Sequence, residues 1–318
     1  MNRHPPIARV ESASTSNPAW GLTDFSLLIV VAIWGVNFVV VRASLSQFSP
    51  MTFCVLRVVL ASLALVSIAA IKRPRLALSP RDGCRLVLLG LVGFVFTQIM
   101  FVNGLARTTA SNAGIIQASV PILVAVTNHL LRLEFLSMRG WTGVILTVVG
   151  LVIVIFGGSH SFTFVSETFY GNLLIVGSTL GWVTYTVMAR PLLRRVPLTV
   201  LTAGCMLTAA VVLAFIGSSS VVSQDWSAVT SAGWAGLLFA GLASMTLGQI
   251  VWAKGLQKLG ATRTSIYSNL SPVVAVIAGV LFLHERMTLF QLVGATAVLT
   301  GIFLARTRSA TQNGHLPR

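Results

Sequence analysis

Residues 98–106 read QIMFVNGLA and residues 249–257 read QIVWAKGLQ, and the alignment they start runs on without a gap. At an offset of 151 positions Gln98 falls on Gln249, Gly104-Leu105 on Gly255-Leu256, Ala110 on Ala261 and Ile115 on Ile266. Pro121 then meets Pro272, Leu130 meets Leu281, Glu134 meets Glu285, Gly143 meets Gly294 and Gly150 meets Gly301. Upstream the register shifts by a few residues: Trp34 matches Trp182, Asn37 matches Tyr185, Arg42 matches Arg190 and Pro50 matches Pro197. Each copy holds five apolar segments. With an odd number of spans, the second copy must enter the membrane from the opposite side. The expected fold is therefore an all-α membrane protein, ten transmembrane helices arranged as two inverted-topology five-helix repeats, an architecture that places binding sites near the bilayer midplane.

Composition agrees. The chain has 318 residues, 55% hydrophobic and 9% charged, with a mean hydropathy of +0.87, whereas soluble domains carry about 25% charged residues. A span needs roughly 20 apolar residues, so ten spans leave no room for a separate soluble domain. They are expected near 25–44, 51–71, 86–105, 112–131, 139–156, 171–189, 198–216, 233–253, 262–282 and 289–305. The expected organisation is a disordered cytoplasmic tail over 1–23, a first repeat over 24–157, an external linker over 158–169, a second repeat over 170–305 and a cytoplasmic tail over 306–318.

A formal net charge of +15 suggests nucleic acid in a soluble protein, but here the charges are sorted by side. Of 22 Lys and Arg residues, 18 fall on one side, only Arg42, Arg107 and Arg286 on the other, and Arg57 within a span. This positive-inside bias places both termini in the cytoplasm of a multi-pass protein of the bacterial inner membrane, with lipid and not nucleic acid as its environment. Cys54, Cys84 and Cys205 have neither metal-ligand spacing nor an oxidised partner and read as small apolar residues.

The run Trp34-Gly35-Val36-Asn37-Phe38, Arg57, Pro121 and Pro272, Glu134 and Glu285, and the glycines at 143, 150, 294 and 301 stand in order in two copies. Together they resemble the EamA family of the drug/metabolite transporter superfamily over residues 24–305. The resemblance implies ten helices, cytoplasmic termini and export of small metabolites, commonly amino acids and their derivatives, and it leaves the substrate open.

Candidate site residues are the polar and aromatic groups within spans. An amide in lipid must find a hydrogen-bond partner or line a cavity. Gln98, Gln117, Gln249 and Asn269 are expected to orient a substrate, Trp34, Trp182 and Tyr267 to pack its apolar part, and Asn37 and Tyr185 to join them. These groups fall in spans 1, 3, 4, 6, 8 and 9, which by the resemblance surround a central cavity. Spans 5 and 10 nearly lack such groups and are expected at the periphery.

Arg57, roughly 10 Å below the outer end of its span, either snorkels outward to the headgroups or meets a substrate carboxylate. Glu134 and Glu285, each three residues before a hydroxyl residue, read as helix caps. His129 reads as an interfacial histidine or as a proton switch. Asp24 stands at the start of the first span, and no acidic residue lies near a span centre, so no coupling ion is indicated.

No metal, nucleotide-binding loop or other cofactor is implied, and an intramembrane enzyme or a passive channel are the alternatives to a secondary transporter. The small-residue stripe Gly236, Ala240, Ser244 and Gly248, and the glycines of spans 5 and 10, serve packing within the chain or the seam of a homodimer.

Overall fold

The computed structural model describes residues 21–72, 79–133, 135–157, 166–193, 195–268 and 270–306. Most of the expected N-terminal tail, much of the linker and nearly all of the C-terminal tail lie outside them. Among the described residues there is no strand. Eight helices are long and apolar enough to cross a membrane. They are α1 (Leu22–Ser44), α2 (Pro50–Lys72), α3 (Pro80–Leu105), α4 (Ala110–Leu130), α5 (Met138–Gly157), α6 (Glu167–Leu193), α7 (Leu198–Ile216) and α8 (Ser231–Trp252). Two shorter apolar helices complete the order, α9 (Leu270–Leu283) and α10 (Leu289–Ala305). Large apolar side chains point outward along them, Phe215 84% and Phe303 66% exposed among others. Such surface is at rest only against lipid. The chain is a multi-pass membrane protein.

Helix starts obey local chemistry. Ser79, Thr109, Ser166 and Thr230 each accept a backbone N–H from three residues on, at Asp82, Asn112, Phe169 and Gly233, as N-cap hydroxyls do. Helical winding continues past Trp252 to Ser268, but not as one straight rod. A Cβ on Gly255 would stand 3.2 Å from Cγ2 of Thr264, although nine residues of straight helix span about 13.5 Å. The chain therefore doubles back between these positions.

Both α3 and α8 carry a stretch of π-helix, at Leu91–Phe96 and Phe239–Leu247. At the repeat offset the first of these falls on residues 242–247, inside the second. In each, a threonine hydroxyl closes the widened turn: Thr97 donates to the Val92 carbonyl at 3.1 Å and Thr246 to the Gly241 carbonyl at 3.0 Å. A π-turn carries an extra residue and re-aims the side chains beyond it. The side chains re-aimed here include Gln98 and Gln249.

The principal helix pairings come in sets that exchange when the two copies are exchanged. α1 lies against α8 and α9 as α6 lies against α3 and α4, and α2 meets α8 as α7 meets α3. Three pairs join a helix to its own counterpart: α2 with α7, α4 with α9 and α5 with α10. All three run antiparallel. The hydroxyl of Thr52, at the start of α2, donates to the carbonyl of Ser220, just past the end of α7, at 2.8 Å. Glu285, just past α9, holds the start of α4. On α5 and α10, Gly143 faces Gly301 and Gly150 faces Gly294.

The two small-residue stripes are both spent inside the chain. A Cβ on Gly150 would stand 2.7 Å from the Gly294 carbonyl oxygen, and one on Gly294 2.8 Å from that of Gly150, so the backbones touch. The α8 stripe packs on α1, with Gly236 against Ser44 and Gly248 against the Trp34 indole. Gly150→Leu should therefore split α5 from α10, costing about 1–3 kcal/mol or more and depleting monodisperse protein in fluorescence-detected size exclusion. Val149→Leu, on the exposed face of the same helix, should elute unchanged; equal profiles would show that the contact carries no stability.

Candidate functional site

A cavity of about 240 Å³ lies among the helices. It collects Trp34 and Asn37 from α1, Arg57 from α2, Gln98 from α3, Gln117 from α4, Trp182 from α6 and Gln249 from α8. Seven of the ten candidate residues thus share one volume, and both repeat-related pairs, Gln98 with Gln249 and Trp34 with Trp182, are among them. Pro121 and Pro272 also line it. Helix α4 is interrupted at Ser119, between Ala118 and Val120, and Pro121 has no N–H to give the carbonyl of Gln117. A broken helix thus sits where backbone polarity can face a ligand.

Three candidates are placed otherwise. Tyr185 is buried beside the cavity in an aromatic cluster, its ring 5.1 Å from Phe94 and 5.2 Å from Trp182. It is fixed by packing and does not reach the lining. Tyr267 is drawn to the end of α1, where its hydroxyl donates to Asp24 Oδ1 at 2.6 Å; a buried carboxylate is a stronger attractor than an apolar cavity wall. Asn269 lies outside the described residues. Of the two helices expected at the periphery, α5 contributes nothing to the lining, but α10 contributes Leu299 and Ile302.

Arg57 does not snorkel. Its side chain is turned inward, only 2% of the residue is exposed, and the guanidinium donates to Gln98 Oε1. Its carbon lies 5.1 Å from the centre of the Phe101 ring and 5.7 Å from that of Phe53, close enough for the ring faces to attract the cation. Among the described lining residues it is the one charged group.

Sequence reasoning missed Thr97, Ser178 and Ser244 in the lining, because hydroxyl residues in spans usually bond back to their own helix. Ser178 does not: its Oγ is buried without a hydrogen-bond partner, as are Asn37 Oδ1 and Arg57 Nε. A buried polar atom left unpaired costs about 1–3 kcal/mol. All three belong to residues that line the cavity. The walls themselves are fixed. The Trp34 indole donates to the Ser244 carbonyl in the π-wound stretch of α8 at 3.1 Å, and its ring lies 5.2 Å from that of Trp252. Trp252 backs this wall through that ring contact. His129 is structural in geometry: its Nδ1 accepts the Leu136 N–H at 3.1 Å, and the ring packs between Phe135 and Trp141.

The glutamates give a further correction. Glu285 does not cap the helix C-terminal to it. Thr288 and Gln291 do, as a reciprocal box: Thr288 Oγ1 accepts from Gln291 N at 3.2 Å and Gln291 Oε1 from Thr288 N at 2.7 Å. Glu285 instead reaches across to the other copy. There it accepts from Ala110 N at 2.7 Å, Ser111 N at 3.0 Å and Ser111 Oγ at 2.6 Å, satisfying the N-terminus of the helix that carries Gln117. Beside it Gln291 Nε2 donates to Asn112 Oδ1 at 2.7 Å, and Asn112 and Thr108 both donate to Asn172 Oδ1. Glu134 lies outside the described residues. Glu285→Ala should lower the melting temperature of the detergent-solubilised protein, by an amount equivalent to about 1–2 kcal/mol. An unchanged melt would mean the carboxylate does not hold α4.

Comparison with known proteins identifies the family. The model of the EamA-like transporter family matches residues 21–156 and again 169–307. The uncharacterized transporter YvbV of Bacillus subtilis is 29% identical over 302 residues, covering 91% of this chain and 93% of that protein. A probable amino-acid metabolite efflux pump of Salmonella typhimurium is 25% identical over 296 residues, covering 88% and 93%. One solved crystal structure superimposes with a TM-score of 0.65 at 17% identity, covering 89% of this chain and 97% of the other, a likeness of fold. With its family's model matched twice along nearly its whole length, the chain belongs to the EamA-like transporter family.

Proposed function

We propose that the protein is a secondary transporter that exports a small amphipathic metabolite, such as an amino acid or a derivative, by alternating access about the central cavity. The observation that carries this reading is the convergence of Gln98 with Gln249 and Trp34 with Trp182 on one volume whose lining also includes Arg57. The amides orient the substrate, the indoles bury its apolar part, and Arg57 takes a carboxylate. Transport rather than catalysis is supported by the family and by the names its relatives carry.

In this reading ten helices cross the membrane as two inverted copies. The antiparallel run of α2 with α7, α4 with α9 and α5 with α10 supports it, because equivalent helices of copies inserted the same way would run parallel. The doubling back between Gly255 and Thr264 supports a separate ninth span. The distribution of Lys and Arg supports cytoplasmic termini in a bacterial inner membrane. The two halves then rock about the shared cavity.

Cells lacking and overexpressing the protein, compared by metabolite profiling of the medium, test the transport reading; no compound changing between them would end it. With an exported compound in hand, Gln98→Leu and Gln249→Leu should each weaken binding roughly five- to 150-fold. Arg57→Ala should lower transport while Arg57→Lys keeps expression. Wild-type affinity in all three alanine and leucine variants would remove these residues from the site. For topology, a background without the exposed Cys84 should be labelled from outside the cell at Ser227→Cys and not at Ser79→Cys. The opposite pattern would sink the proposed orientation.

A further inference from the structure

We propose that the substrate crosses as a net anion, a carboxylate bearing an uncharged hydrogen-bond donor and no ammonium group, and that the membrane potential itself drives its export. This rests on the transport reading above and narrows its substrate class.

Arg57 is buried, one of its nitrogens lacks a partner, and its described contacts are all neutral: Gln98 Oε1 and the faces of Phe101 and Phe53. A guanidinium keeps its proton at neutral pH, and a buried charge without a counter-charge is costly. The cavity is therefore one negative charge short.

The chain has seven Asp and Glu residues, and none is among the described lining residues. The five that the structure describes are engaged elsewhere. Asp24 accepts from Tyr267, Asp82 from Ser79 at 2.8 Å and Asp225 from Ser227 at 2.6 Å. Glu167 pairs with Arg107 at 3.3 Å, and Glu285 holds the start of α4. The other two, Glu11 and Glu134, lie outside the described residues and outside every expected span.

A zwitterionic head group would bring its ammonium beside Arg57 with no carboxylate to receive it. Replacing the ammonium by a hydroxyl or an amide N–H removes that repulsion and keeps a donor for the amide side chains that line the cavity. The same charge count gives the driving force. A monoanion leaving a cell that is negative inside moves downhill, by about 50-fold in accumulation per charge at ordinary potentials. No ion-coupling carboxylate is then needed within the spans.

The test uses the purified full-length chain in liposomes, with potassium gradients and valinomycin setting the potential and protein-free vesicles as background. Three probes share one side chain: leucine, its hydroxy-acid analogue 2-hydroxy-4-methylpentanoate, and leucine amide. Uptake of the hydroxy acid should exceed that of the other two by roughly ten-fold or more. It should rise when the interior is made positive and fall when it is made negative. Gln98→Glu, nearly isosteric, gives Arg57 an internal carboxylate and should reduce hydroxy-acid uptake by a similar factor. If that variant does not fold, Arg57→Lys, which keeps the charge, should retain the preference among probes.

Comparable uptake of leucine or its amide overturns the proposal. So does uptake indifferent to potential, or a folded Gln98→Glu variant that behaves as wild type. If none of the three probes moves, the proposal is also overturned. The transport reading is judged separately by the metabolite profile, which depends on no chosen probe.

Discussion

In hydrocarbon a helix gains nothing by hiding its apolar side chains from the solvent, because the solvent is equally apolar. What remains to hold helices together is close approach and hydrogen bonding. The architecture reflects this constraint. Where α5 meets α10, glycines at 143, 150, 294 and 301 let carbonyl oxygens come within contact distance of the facing backbone. Where α4 meets the turn after α9, Glu285 satisfies the first N–H groups of a helix that nothing else in lipid would satisfy. Helices from both copies, α4 and α10 among them, leave a space between them. That space is the cavity, and three of the five described buried atoms without a hydrogen-bond partner belong to residues that line it.

The repeat was legible because it is written as a spacing. The offset of 151 between Gln98 and Gln249 and the prolines and glycines at matched positions required only counting. The shared lining by Gln98, Gln117 and Gln249 could be expected from the cost of amides in lipid. What stayed hidden depends on direction rather than spacing. Arg57 faces the interior because Phe53, Phe101 and Gln98 make a pocket there, and depth along a helix says nothing of azimuth. Glu285 caps a helix from the opposite copy, a partner far away in sequence, while the nearer cap was taken by Thr288 and Gln291. Tyr267 was drawn away by Asp24. The π-turns leave no mark in composition at all, and their threonines at 97 and 246 look like any hydroxyl residue in a span.

The π-turns and the cavity are linked. A straight α3 or α8 would present a different face after residue 97 or 247, since one extra residue rotates the rest of the helix by about 100°. The same widening leaves the Ser244 carbonyl free to receive the Trp34 indole, and Gly248 gives that ring room. Two helices therefore depart from regular winding at matched places, and each departure ends beside a glutamine that lines the site.

One asymmetry has a consequence for ligands. The register that aligns Pro50 with Pro197 puts Gly204 at the position of Arg57, and the register that aligns Trp34 with Trp182 puts Tyr185 at that of Asn37. Two identical subunits assembled head to tail would be bound to offer the same residue twice, and a molecule seated on their axis would be indifferent to being turned around. Fusion of the copies into one polypeptide removes that degeneracy. Among the described lining residues only the first copy supplies a cation, so an occupant has a head end and a tail end fixed by the chain that holds it.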